Sequence, residues 1–147
     1  AIYYGSKDLQ IKGLIDSSEH KPIAFSKNMQ DIMLNIATAI STLKDSAIEG
    51  PYTLIINSDK WNEIISQSQG YPFNKHISDI LGGGKVIASP HIKKAFVVSE
   101  RGGDFKLTIG QDLSIGYEEH DSKEVQLYFT ESFTFRVLEP KAVIVFD

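Results

Sequence analysis

Apolar residues recur every three or four positions from Met29 to Leu43: Met29, Ile32, Met33, Ile36, Ile40 and Leu43. That spacing draws one apolar stripe along a helix. Asn28 is placed to cap it, and Asp31, three residues on, to return a bond to the free backbone amides. Gly50-Pro51 is the expected stop, because proline cannot continue a helix. "YTLIIN" then reads as a short buried strand, rich in residues that suit a pleated surface. Ser58 or Asp59 can cap a second helix carrying Trp61, Ile64 and Ile65. The polar "SQSQGYP" breaks that helix, and "NKHISDILGGGK" reads as a third, ending in Gly82, Gly83 and Gly84.

From Lys85 onward the pattern shifts to strands. "KVIAS", "KAFVVSE", "FKLTIG" and "LSIGYEE" are short runs separated by Pro90, Gly102-Gly103 and Gly110. The longest run is "EVQLYFTESFTFRVLEP", with Val125, Leu127, Phe129, Phe133, Phe135 and Val137 on one face. Glu131 breaks the alternation, through a bulge, a strand end or a subunit contact. "AVIVF" closes the chain. The expected class is α+β, with helices first and an antiparallel-leaning sheet afterwards.

Composition narrows the function classes. The 147 residues carry a net charge of −4 with no block of basic residues, so no nucleic-acid partner is expected. The absence of cysteine excludes disulfides, thiol catalysis and thiolate metal sites. No apolar run reaches the ~20 residues that span a bilayer, and no membrane partner is expected. The abrupt opening "AIYYG" reads as the start of a fragment.

Candidate chemistry concentrates in "VVSERGGDFKLTIGQDLSIGY", Val97 to Tyr117, where Glu100, Arg101, Asp104 and Asp112 are the titratable groups. A hydrolase needs such groups to converge. Yet Gly102-Gly103 lies between apolar runs, where paired glycines supply the positive φ of a tight hairpin turn. The turn is the preferred reading, with its charges solvated or paired. His20, His76, His91 and His120 have no metal-ligand spacing. "LGGGK" lacks the Ser or Thr of a phosphate loop, and no serine sits in a nucleophile elbow. Trp61 reads as core. No catalytic set, metal site or cofactor site is expected.

"IEGPYTLIINSDKW", "GGGKVIASPHI", "VVSERGGDFKLTIGQDLSIGY" and "LYFTESFTFRVLEPKAVIV" together resemble the encapsulin family. These are prokaryotic shell proteins similar in fold to tailed-phage major capsid proteins, and some carry the older label of linocin-type bacteriocins. The resemblance runs through nearly all of the chain. It implies a capsid-like fold: an axial domain over about 24–110, with peripheral-domain strands over about 1–23 and 111–147. The family's N-terminal helix, most of its spine helix and its extended loop would be missing. The flavin site described for some relatives involves that portion, so the resemblance implies no cofactor here.

The implied function is containment in a cytoplasmic nanocompartment. The full-length protein would form a homo-oligomeric icosahedral shell around a cargo enzyme, ferritin-like or peroxidase-like, bearing a targeting tail. The chain by itself would be a monomer or small oligomer. Ser66, Gln67, Ser68, Gln69, Gly70 and Tyr71 correspond to the family's five-fold pore loop. Asp112, Leu113 and Ile115, with Lys75, correspond to its cargo-docking groove. The segment from Ser99 to Tyr117 is structural in the family and carries no catalysis. A viral major capsid protein of the same fold and a bacteriocin-type antibacterial protein are the alternatives.

Overall fold

The computed structural model describes the backbone of residues 1–120 and 125–147, and the side chains of 1–110 and 132–147. The chain runs α1 (Leu14–Ser17), α2 (Met29–Asp45), β1 (Tyr52–Asn57), α3 (Ser58–Ser66) and α4 (Phe73–Ile80). Then come β2 (Val86–Ser89), β3 (Phe96–Ser99), β4 (Phe105–His120), β5 (Val125–Val137), a 3-10 turn (Pro140–Ala142) and β6 (Val143–Val145).

Helix α2 forms where the apolar period predicts it. Ile32, Ile36, Ala39, Ile40 and Leu43 are buried, and the Asn28 side chain accepts from the Gln30 amide. Asp31 does not complete a reciprocal cap. The Asn28 amide donates instead to the Ser26 hydroxyl, which lies 3.4 Å from the Asp31 carboxylate. Nor does Gly50-Pro51 end the helix. The end comes earlier, where Ala47 turns to φ 60°. The Ile48 amide then reaches back to the Leu43 carbonyl and the Ala47 amide to that of Lys44, so the last turn's carbonyls are satisfied. Ile48, 2% exposed, is drawn into the core by this closure. An L-residue in the left-handed region is strained by about 1–2 kcal/mol. Ala47→Gly is therefore expected to stabilise the fold by about 0.5–1 kcal/mol, after glycine's greater unfolded-state entropy is subtracted. A thermal melt checks this, since an unchanged or lowered midpoint contradicts it.

The four-stranded sheet has the order β2-β1-β3-β6. β1 runs parallel to β2 and antiparallel to β3, and β3 antiparallel to β6. This corrects the antiparallel expectation at one edge. Helices α3 and α4 carry the chain back across, which is what a parallel pairing requires. The far edge is covered by Ile23 and Phe25, whose amides donate to the carbonyls of Val145 and Asp147.

Both faces of this sheet are packed. Leu54, Ile56, Val97 and Ile144 point to α2 and α4, while Ile55, Phe96, Val143 and Val145 point to Ile11, Leu14 and Phe135. Two-sided burial explains why β1 reads as an unbroken apolar run rather than an alternating one.

β4 and β5 form a separate two-stranded antiparallel ribbon. "FKLTIG" and "LSIGYEE" are thus one strand, not two. Gly110 does not separate them; it sits at the first of three register shifts, between Ile109 and Gln111. At every shift β4 holds one more residue than β5, which accounts for 16 residues pairing with 13. The second shift leaves three residue steps on β4, Gln111 to Ser114, facing two on β5, Ser132 to Thr130. Glu131 lies in that interval, which favours the bulge among the readings of its broken alternation.

Candidate functional site

The Arg101–Asp104 segment is a turn: Gly102 and Gly103 take φ 88° and 85°. It is not, however, a hairpin turn. β3 pairs with β1 and β6, and β4 with β5, so the turn is a joint between the sheet and the ribbon. Its charges are used up in holding that joint. The Arg101 guanidinium donates through Nε and Nη2 to both oxygens of the Asp104 carboxylate, whose side chain is 4% exposed. Arg101 also donates to the Ala47 carbonyl that follows α2. The Asp104 carbonyl accepts from the Leu138 and Glu139 amides where the ribbon ends. The carboxylate's hydrogen bond and charge push the Arg101 guanidinium further up. Glu100 accepts from the buried Thr53 hydroxyl. A fork-shaped cation committed to one carboxylate is suited to holding a structure together.

Nearby, burial and then Glu49 push the Tyr52 phenol up, while Arg101 opposes them. The phenol stays a donor, giving its hydrogen to the Ile48 carbonyl at 2.7 Å.

The three histidines with described side chains do not converge. His20 Nε2 meets the Lys141 carbonyl at 2.8 Å, His91 is exposed, and His76 stacks on Tyr71. The side chain of His120 lies outside the described residues. Among the described residues no group of three or more His, Asp or Glu could hold a metal ion. No helix among them is long and apolar enough to cross a membrane.

Ser66 to Tyr71 forms an exposed tip between α3 and α4. Asn57, not Ser58 or Asp59, caps α3: its side-chain Oδ1 accepts from the backbone amides of Asp59 and Lys60, while its side-chain Nδ2 donates to the Ile92 carbonyl. At the other end of α3, Ser66 and Ser68 turn their hydroxyls back onto the carbonyls of Glu63 and Ile65. Gln69 and Gly70 take φ 44° and 84°, reversing the chain, and the Tyr71 amide donates to the Ser68 carbonyl. Tyr71, 44% exposed, stacks on His76 with ring centroids 4.8 Å apart and planes 5° from parallel. Beneath the tip Phe73 is buried against Trp61. Gln67, Gln69 and Tyr71 therefore stand in solvent on a rigid footing, with no formal charge among them.

Lys75 lies in the first turn of α4, exposed beside this tip. Asp112 and Leu113 fall within the second register shift of β4, and Ile115 pairs with Phe129 in the regular ladder beyond it. The side chains of these three residues lie outside the described residues. Local spacing does not single out Asn57 as the cap, because its side-chain hydrogen bond to Ile92 spans 35 positions.

The family described as "Encapsulating protein for peroxidase" matches residues 1–134. Type 1 encapsulin shell proteins are similar across 98% of this chain. The one from Brevibacterium linens is 37% identical and that from Rhodospirillum rubrum 33%, with 54% and 52% of those proteins covered. The chain thus spans about half the length of these relatives. In fold it is similar to a virus-like particle from Pyrococcus furiosus, with a TM-score of 0.75 at 20% identity, covering 91% of this chain and 58% of the other. A chain of Mycobacterium phage Che8 gives 0.71 at 12% identity, with 91% and 54% covered. The architecture is capsid-like, and at 33–39% identity the sequence relatives narrow it further: this chain belongs to the encapsulin family.

Proposed function

We propose that this chain is the shell-forming part of an encapsulin subunit, of which many copies close into an icosahedral particle around cargo enzymes in the cytoplasm. The observation that carries the reading is similarity to encapsulin shell proteins over 98% of the chain, joined to a capsid-like fold. The phage chain shares that fold at only 12% identity, which favours the compartment over a virus. In this role the chain is not an enzyme, and the chemistry belongs to the cargo. A peroxidase-like cargo suits the family's description. We place the axial part at about 24–110, with β6 added because it pairs in the same sheet. Electron microscopy of the complete subunit tests the reading: closed particles are expected, and unassembled protein refutes it.

The Ser66–Tyr71 tip is the pore rim in this reading. Charge rings set ion selectivity, so an uncharged rim discriminates mainly by size. Gln67→Glu or Gln69→Glu is expected to slow entry of a small anionic probe into loaded shells. Unchanged influx would mean that this tip does not line the opening.

Asp112, Leu113 and Ile115 form the cargo-docking strand, with Lys75 contributing from α4. Apolar positions at i and i+2 of a strand suit an extended tail, and Asp112 suits its backbone amides or a cation. Ile115→Asp sets an unpaired carboxylate against apolar tail residues, a costly burial. Shells that form normally but purify without cargo are expected; wild-type loading places the groove elsewhere.

A further inference from the structure

All three register shifts of the ribbon put the extra residue on β4, but they are not alike. The first falls at Gly110, where a Cβ would stand 3.0 Å from the Ser132 hydroxyl oxygen. The third falls at Glu118, close to the end of β4 at His120. Glycines and strand ends are ordinary places for a bulge. The second shift has neither. It lies between Gln111, opposite Ser132, and Ser114, opposite Thr130, so Asp112 and Leu113 take no regular partner on β5. Apolar register pairs stand on both sides of it, Ile109 with Phe133 and Ile115 with Phe129. The ladder therefore breaks in the middle of the ribbon and resumes with apolar opposite apolar.

A bulge interrupts the exchange of main-chain hydrogen bonds and bends its strand. Main-chain amides and carbonyls without a ladder partner must bond to water or to another segment. An extended peptide suits them, because it carries its own amides and carbonyls at strand spacing. Asp112 and Leu113 are also two of the three β4 positions proposed above to dock the cargo tail. Ile115, the third, follows at once in the regular ladder. Broken pairing and docking positions thus coincide at one place on a strand of 16 residues. Bulges occur preferentially beside functional sites, where they end local pairing and change what a strand presents.

We propose that the Asp112–Leu113 bulge reads the main chain of the cargo tail, the backbone groups that β5 does not pair bonding to the extended tail. The proposal rests on the docking reading above. The probe is a fluorescent protein carrying the C-terminal tail of the peroxidase-like cargo enzyme, produced together with the complete subunit. Fluorescence retained per intact particle is the readout. Deleting Asp112 evens the interval, two residue steps on each strand, and sets Leu113 opposite Glu131. That deletion is expected to lower loading about tenfold, the worth of one or two main-chain hydrogen bonds. Asp112→Gly lacks the carboxylate but keeps the residue count, and should recover part of what the deletion loses. Deleting Glu118 removes a bulge of the same kind beyond the docking positions, and should load like the unmodified subunit. Hydrogen exchange in unmodified shells needs no variant to fold: the amides from Gln111 to Ser114 should slow on loading more than those of Gly116 and Tyr117. Normal loading by the Asp112 deletion overturns the proposal, as does exchange at Gln111 to Ser114 that ignores the tail. Equal losses from the Asp112 and Glu118 deletions overturn it as a general effect on the ribbon. Asp112→Gly loading as poorly as the deletion assigns the effect to the carboxylate and overturns it too. Wild-type loading by Ile115→Asp would instead remove the docking reading, and this one with it.

Discussion

Replacing Gly84 by alanine is expected to destabilise the fold by about 4 kcal/mol and lower its melting midpoint by about 8–16 °C. The segment after α4 lies backbone to backbone on the start of β1: the Tyr52 amide donates to the Leu81 carbonyl, and that of Leu54 to Lys85. A Cβ on Gly84 would overlap the Tyr52 carbonyl oxygen and stand 2.7 Å from its carbon. Overpacked side chains can rotate away at a cost of about 1–3 kcal/mol. Here the obstacle is the backbone of a central strand, held on both sides by β2 and β3, so relief means displacing the sheet. Gly83→Ala is the control. Nothing lies within 4 Å of its Cβ, and only its φ of 85° is strained. If the two variants melt alike, the close approach is not what the sheet depends on.

Phe73→Ala is expected to cost about 3–5 kcal/mol, the usual range for a buried phenylalanine. It should also loosen the tip that the proposed pore uses. Phe73 is 1% exposed, opens α4 immediately after Pro72, and lies 5.9 Å from Trp61 between ring centroids. It is the anchor joining the end of the loop to the underside of α3. Its removal should accelerate hydrogen exchange of the amides from Ser68 to Phe73 more than those of β1. Tyr71→Ala removes an aromatic ring from the same segment, but one that is 44% exposed, and should change stability by no more than about 0.5 kcal/mol. Equal losses from the two would show that the tip is held by its surface stack and not from below.

Much of the site was legible. The polar, glycine-containing break at Ser66–Tyr71 announced a loop, and its lack of charge is a property of composition alone. The glycine pair at 102–103 announced positive φ, and the structure shows it. That the turn joins a sheet to a ribbon was not legible, because β3 finds its partners in β1 and β6, more than 40 residues away in either direction. The commitment of Arg101 to Asp104 and Ala47 follows from that junction.

The apolar period of α2, the Asn28 cap, the buried run of β1 and the strand-rich second half were all determined by the sequence itself. Each depends on side-chain spacing within a few residues, and such spacing is fixed before any long-range contact forms. Only the tertiary structure decided the rest. It ended α2 at Ala47 rather than at Gly50, because burying Ile48 offsets a strained φ. It chose Asn57 over Ser58 and Asp59 as the cap of α3, because Asn57 could also hold Ile92. It fused two apparent strands through Gly110, because a long partner strand rewards continuous pairing and a bulge absorbs the extra residue. Where several local choices cost nearly the same, contacts distant in sequence select among them.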